Sequence, residues 1–473
     1  MSKEQPSAAS VLERSAKTQH PKIVVIGAGS LFFGRQAIWQ MVHSPHLRTG
    51  TLSLVETDPQ RLDKLGRLAE MVGAANDAPL QVEVSQDWKD ALPDADFVVL
   101  SFANNTVKYR GLDCAISEKY GVRMCSGDTI GPGGVFRAMR EFPHILDCAR
   151  DVADICPDAW LINYINPSAV HGIGLRRYMP ELKTFALCDS LHMPHIKHRY
   201  AVRAGIVDSA ADFDEAVNRD FDLRIAGVNH FTWMLKAEYR AEDVMPAIAE
   251  SIRRSAETAN TDPAVGAKAL HNDRIAMELY EAYGRIPVCV AHTKEYLPYW
   301  QGRGVLEDAI PPLSIWETEP RYAWHAEMWQ EVDDFVSGAI PIAEYTTRLG
   351  PDHATDIIEN MVGGLNHPFY VNTFNDGAVT NMADDAFLEL LCDVDMNGPR
   401  PRAVGEMPRG IRGWQELILD THELTAEAVA TCDLALVRRA MLTDPLVTSM
   451  ADADAIVRDL LVAEREALPE CWY

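Results

Sequence analysis

The sequence predicts an α/β protein, a Rossmann-like doubly wound parallel sheet with a second, mixed α+β and helix-rich domain. Three observations carry this. Ile23-Val-Val-Ile26 is an unbroken apolar run that ends on a glycine turn, Gly27-Ala-Gly29, as a first βα unit should. Strand-like and helix-like stretches then alternate up to about residue 200, the mark of a parallel sheet with helical crossovers. Beyond that point long helical stretches dominate and strand-like runs are few. The expected divisions are a disordered polar tail over 1–19, a nucleotide-binding domain over 20–200 and a second domain over 201–473 that closes a crevice and mediates oligomerisation.

The elements follow in order. Gly27 and Gly29 turn the chain and let backbone N–H groups approach a phosphate. Ser30 and Leu31 lead into a helix over 31–39 whose N-terminus would face a dinucleotide pyrophosphate; Phe32 stands where the usual third glycine falls. The run 52–55 ends on Glu56, placed to accept hydrogen bonds from an adenosine ribose. Its carboxylate disfavours a ribose 2′-phosphate, so NAD is expected rather than NADP. A helix over 59–72, a strand over 81–84 and a short helix over 88–92 precede a buried strand over 95–101, and Asn104 follows at its carboxyl edge. Next come a helix over 109–121, a glycine-dense loop over 126–134 and a helix over 135–152. A run over 160–167 reads as a strand stopping at the Asn166-Pro167 turn and a strand over 182–188 ends at Cys188-Asp189, so polar side chains can converge on one crevice. In the second domain, 222–234 reads as a strand pair or as a strand leaving the sheet. Helices are expected over 244–257, 272–283, 355–362, 413–439 and 451–468, with 369–375 and 386–392 as strands of a smaller sheet.

At 473 residues with 47% apolar content the chain can fill substantial cores, and its formal charge of −25 argues against a nucleic-acid or anionic-membrane surface. Nine cysteines lie scattered without CxxC spacing, and no signal peptide or long apolar span is apparent. A reducing cytoplasm is the plain expectation.

Cys188 and His230 each lie at the end of an apolar strand-like run, which makes them candidate metal ligands. Two ligands are too few for a structural zinc site but would leave room for substrate hydroxyls; the alternative is a buried thiol and a core histidine. Set beside them, several motifs occur in one order: Ile26-Gly-Ala-Gly-Ser30, Ala95-Asp-Phe-Val-Val99, Arg110 to Gly121, Gly131-Pro-Gly-Gly134, Asn163-Tyr-Ile-Asn-Pro167, Leu187-Cys-Asp-Ser190, Gly227-Val-Asn-His-Phe-Thr-Trp233, Glu295-Tyr-Leu-Pro-Tyr299 and Asn372-Thr-Phe-Asn-Asp-Gly377. This ordered set, spanning about 22–406, resembles glycoside hydrolase family 4, the glycosidases that use NAD and a divalent metal and stand outside the two-carboxylate scheme.

The resemblance implies oxidation at C3 of a sugar, removal of the acidified C2 proton, elimination at C1, addition of water and reduction of C3. It implies Mn²⁺, or another divalent cation, on Cys188 and His230, and sugar contacts from Arg110 and Asn166. Asp128 replaces the glutamate common before the Gly131 loop and is expected on a hydroxyl. Asp189 matches the acid that protonates the leaving oxygen, with a helix N-cap as its bland alternative. Tyr296 looks like the family's C2 base, but His292-Thr-Lys-Glu295 also resembles the α-galactosidase and α-galacturonidase branch, so His292 or Lys294 is an alternative base. As a further alternative, Tyr296 and Tyr299 simply pack with Trp300. Arg110, Arg137, Arg140 and Arg303 are the arginines that could meet a substrate carboxylate. The expected activity is cleavage of an unphosphorylated galactoside or uronide by a cytoplasmic homodimer or homotetramer. A 6-phospho-glycosidase of the same family and a lactate/malate-type dehydrogenase are the alternatives.

Overall fold

The computed structural model describes residues 19–30, 34–259, 267–303, 310 and 312–473. The expected tail lies outside them except for Gln19, and so does Leu31. A single mixed sheet of thirteen strands runs through the molecule. Its first half comprises β1 (Lys22–Ile26), β2 (Thr51–Val55), β3 (Gln81–Ser85), β4 (Phe97–Leu100), β5 (Trp160–Asn163) and β6 (Lys183–Ala186). All six are parallel in the order β3-β2-β1-β4-β5-β6. Chain order reverses between β1 and β4, which opens a crevice at the carboxyl ends of these strands. The uninterrupted apolar runs of β1 and β4 are explained by burial of both sheet faces.

The second half comprises β7 (Phe221–Val228), β8 (Phe231–Tyr239), β9 (Glu242–Asp243), β10 (Ile286–Pro287), β11 (Pro368–Phe374), β12 (Phe387–Asp395) and β13 (Gly398–Pro401). The expected smaller sheet is corrected here. β11 joins β6 antiparallel through the pair Asn372 and Ala186, and β12, β7, β8 and β10 follow outward in one continuous sheet. Without β11 the edge of β6 would present unpaired backbone groups. Alternation along a strand tells which face is buried but not which strand lies alongside.

Most helices fall where periodicity places them. The single helix expected over 413–439 is instead two, Arg409–Thr431 and Leu434–Thr443. Cys432 adopts a left-handed conformation (φ 54°) that ends the first, and the Asp433 carboxylate accepts from the Ala435 N–H to start the second. Helix Thr318–Ser337 was not expected, because Val332 and Phe335 are its only buried residues and its apolar periodicity is sparse. Gly131–Gly134, read as loop, form the first turn of helix Gly131–Ile155. Cys432 and Cys471 are disulfide-bonded, a pairing their spacing did not indicate, and the other seven cysteines are free. Among the described residues no helix is long and apolar enough to cross a membrane.

Candidate active site

The glycine turn after β1 is held tightly. The N–H groups of Gly27 and Ala28 donate to the Val55 carbonyl at 2.9 and 3.0 Å, and the Ser30 N–H donates to the Gly27 carbonyl at 2.9 Å. Gly27 has φ +87°, and a Cβ there would lie 2.4 Å from the Phe102 nitrogen. Glu56, at the end of β2, folds its carboxylate over the turn and accepts from the Gly29 N–H at 2.9 Å. A Cβ on Gly29 would lie 2.1 Å from that same oxygen, so a larger residue there would displace the Glu56 carboxylate from the turn. Asn104 is exposed beyond the carboxyl end of β4, with its N–H on the buried Glu141 carboxylate at 3.1 Å.

Further along the same strand ends, Asp128 is a hub. Its buried carboxylate pairs with Arg110 at 3.3 Å and Arg137 at 3.6 Å, and stands 3.8 Å from Nδ1 of His292. Ser126 Oγ donates to it at 2.9 Å, Thr129 Oγ1 at 3.2 Å and Asn166 Nδ2 at 3.4 Å. Burial opposes ionisation, but Arg110, His292 and Arg137 outweigh it and hold the carboxyl well below the ordinary range. Arg110 also donates to the Ser126 carbonyl at 2.8 Å and lies over the Trp316 ring at 3.8 Å. The loop carrying Asp128 is clamped from below by Glu295, whose carboxylate accepts the N–H groups of Cys125 and Ser126 at 2.9 and 2.8 Å.

His230 occupies a two-residue turn, Asn229-His230, between the paired Val228 of β7 and Phe231 of β8, with φ 64°. A non-glycine residue in this region costs conformational energy and marks a site held by its surroundings. The His230 ring stacks on His292 at 4.0 Å, and its Nδ1 meets Thr129 Oγ1 at 3.2 Å. Burial lowers both imidazoles, His292 to about 3, so both are neutral near pH 7. Ligand atoms of Asp128, His230 and His292 all fall within 4.8 Å of one another. Two guanidiniums already neutralise Asp128, however, and would repel a dication placed against it.

Cys188 is not part of that trio. It follows β6, buried, with Sγ 3.0 Å from Ser190 Oγ, and burial pushes its thiol up to about 11. The carboxyl of Glu389 on β12 is raised well above the ordinary range by its burial, with Cys188 adding to this and His230 opposing it. Cys188, not Asp189, is the N-cap of the short turn Asp189–Leu191. The Asp189 carboxyl is raised by its protein surroundings, with His192 opposing, yet the residue remains open to solvent.

The base candidates separate. Tyr296 is fully buried, stacked on Phe231 at 5.1 Å, and its hydroxyl donates to the Asn229 carbonyl at 2.8 Å, which fixes the turn under His230. Tyr299 packs edge-on against Trp300. Lys294 is buried with Nζ on Asn272 Oδ1 at 3.0 Å. Of the four arginines, Arg140 is buried between Asp113 and Glu464, and Arg303 bonds the Gly121 carbonyl and Thr448; Arg110 and Arg137 are the two beside Asp128. Sequence reasoning missed the clamping role of Glu295 and the whole of Glu389. Glu295 was visible as the last residue of the H-x-x-E segment, whereas a glutamate inside the apolar run of β12 gave only its oddity as a signal.

Comparison with known proteins identifies the family and the fold. The model for family 4 glycosyl hydrolase matches residues 22–198, and that for the family 4 glycosyl hydrolase C-terminal domain matches residues 225–447. The chain is 28% identical over 466 residues to an alpha-galactosidase of Bacillus subtilis (strain 168), covering 95% of this chain and 99% of that one. To an alpha-galacturonidase of the same organism it is 27% identical over 451 residues, covering 93% and 96%. A solved 6-phospho-alpha-glucosidase from gut microorganisms, in complex with NAD and Mn²⁺, superposes with a TM-score of 0.75 at 22% identity, covering 95% of this chain and 99% of that one. With both family models matched in order along one continuous sheet, the chain belongs to family 4 of the glycosyl hydrolases.

Proposed function

We propose that this glycosidase cleaves an unphosphorylated galactoside or uronide, using NAD and a divalent cation such as Mn²⁺. What supports the reading is that the glycine turn after β1, the Asp128 hub with its two arginines, and Cys188 after β6 all lie beyond the ends of strands of one sheet, with His230 in the turn after β7 stacked on His292. The residues fit both groups. Gly27, Gly29, Ser30, Glu56 and Asn104 would hold the dinucleotide, with Glu56 turning from the Gly29 N–H to the ribose hydroxyls. Cys188 and His230 would hold the cation, a thiol and a neutral imidazole, with the buried carboxyl of Glu389, which makes no hydrogen bond of ordinary geometry, behind them. When bound, the dinucleotide supplies reversible hydride removal from a ring carbon, and the cation supplies Lewis-acid stabilisation of charge on ring oxygens.

The chain's own residues do the rest. Arg110, Asp128 and Asn166 form a polar floor that orients the sugar hydroxyls. His292, about a quarter exposed (26%) and with no hydrogen-bond partner on Nδ1, takes the proton from C2. Asp189, whose raised carboxyl retains a proton more readily, gives it to the leaving oxygen. Tyr296 and Lys294 act as supports, since each is buried with its polar atom engaged. The His292 to Tyr299 segment favours an unphosphorylated sugar; the relatives divide, an alpha-galactosidase and an alpha-galacturonidase standing beside a probable 6-phospho-beta-glucosidase at 29% identity.

A panel of nitrophenyl galactosides, galacturonides, glucuronides and their 6-phosphates, with NAD⁺, Mn²⁺ and a thiol reductant, tests this. We expect nitrophenol release from a galactoside or uronide without accumulation of NADH. Release from 6-phosphates alone would replace the substrate assignment, and stoichiometric NADH would point to a dehydrogenase.

A further inference from the structure

A row of residues crosses four strands of the sheet. Ala186 of β6 pairs with Asn372 of β11, Asn372 with Glu389 of β12, and Glu389 with Gly227 of β7. Directly paired residues put their side chains on one face, and residues two apart along a strand share it. Cys188 lies two residues beyond Ala186, and Asn229 two beyond Gly227, each past the end of its strand. The small Ala186 and Gly227 flank the two long polar side chains between them, and neither offers a polar side-chain group to them. Asn229, Asn372 and Glu389 are all fully buried, and neither polar atom of any of the three side chains makes a hydrogen bond of ordinary geometry. Such groups are expensive to bury, and an ionised carboxylate is the most expensive of them.

The groups acting on Glu389 are Cys188, His230, through both its ring and its backbone N–H, and Asp189. Neither Arg110 nor Arg137 is among the largest influences on it, in contrast to Asp128. Burial raises the Glu389 carboxyl well above the ordinary range, and among the described residues no guanidinium pairs with it. We propose that Glu389 is the positioning residue and counter-charge of the cation site, orienting the His230 turn from behind and strengthening the hold of Cys188 and His230 on a divalent ion. The inference rests on the cation reading given above. A role in packing alone makes the opposite demand, because an amide of the same shape would then be tolerated as well as, or better than, a buried unpaired carboxylate.

The test is Mn²⁺ binding to the full chain, read from loss of the free-ion electron paramagnetic resonance signal as MnCl₂ is added, with the melting temperature measured with and without the ion. Glu389→Gln should weaken Mn²⁺ about 10–100-fold, the usual effect of removing a partner behind a metal ligand. It should leave the ion-free melting temperature unchanged or raised, and shrink the stabilisation by Mn²⁺. Glu389→Asp, which keeps the charge one methylene further back, should fall between the two. Wild-type affinity in Glu389→Gln, or an equal ion-free loss of stability in both variants with affinity intact, overturns the proposal. Should Glu389→Gln fail to fold, Glu389→Asp decides, and wild-type affinity there counts against it. Failure of the underlying reading looks different: the unaltered chain and Cys188→Ser would then bind Mn²⁺ equally.

Discussion

Replacing Asp128 by asparagine isolates the charge at the centre of the sugar floor. The amide keeps an oxygen to accept from Ser126 and Thr129, so the change removes chiefly the ion pairs to Arg110 at 3.3 Å and Arg137 at 3.6 Å. Arg137 is only 8% exposed, and breaking one side of a buried pair costs about 3–5 kcal/mol. Glu141 still acts on Arg137, which argues for the lower end, about 3 kcal/mol. At about 2 cal/mol/K per residue, the unfolding entropy of 473 residues is about 1 kcal/mol/K, so the melting temperature should fall by roughly 3 °C if the molecule melts as one unit. A lost charge-assisted hydrogen bond to a sugar hydroxyl is worth about 1.5–3 kcal/mol, which corresponds to a drop of about 10–100-fold in kcat/KM. Scanning fluorimetry and nitrophenol release read the two effects on the same preparation. An unchanged melting temperature with unchanged kcat/KM would refute the placing of Asp128 at the centre of the site.

Two further outcomes follow from the same geometry. Glu56→Gln should weaken NAD⁺ about tenfold or more by calorimetric titration and narrow the preference for NAD⁺ over NADP⁺, as loss of a charge-assisted bond requires; undiminished discrimination would contradict the ribose assignment. His292, pushed down to about 3 by burial and by His230, should show no titration by NMR between pH 5 and 8, and a midpoint near 6.5 would count against its environment as described. The sign for stability is fixed: as pH falls through about 6.5 the unfolded ring takes up a proton while the folded ring does not until near 3, so acid works against the fold over that window.

The parallel half of the fold was legible because each strand is a doubly buried apolar run and each connection a periodic helix. The antiparallel half was not, because the partner of β6 is chosen by an open edge rather than by any local pattern. Within the site, residues at strand ends were readable: Gly27, Gly29, Glu56, Asn166, Cys188 and Asp189 all follow β-strands, and His230 lies in the hairpin turn after β7. What escaped was second-layer support. Glu295 acts on the backbone of another loop and Glu389 sits inside a strand, so neither position announces a ligand. Tyr296 shows the converse. Its motif suggests chemistry, while its hydroxyl is spent on the Asn229 carbonyl.

The proton removed from C2 offers the most direct measurement. Hydrolysis run in D₂O with NAD⁺ and Mn²⁺ should leave one deuterium at C2 of the released sugar, read by NMR or mass spectrometry, because the abstracted proton exchanges with solvent before water adds back. Product with hydrogen fully retained at C2 would show displacement at C1 without elimination, and would contradict the account.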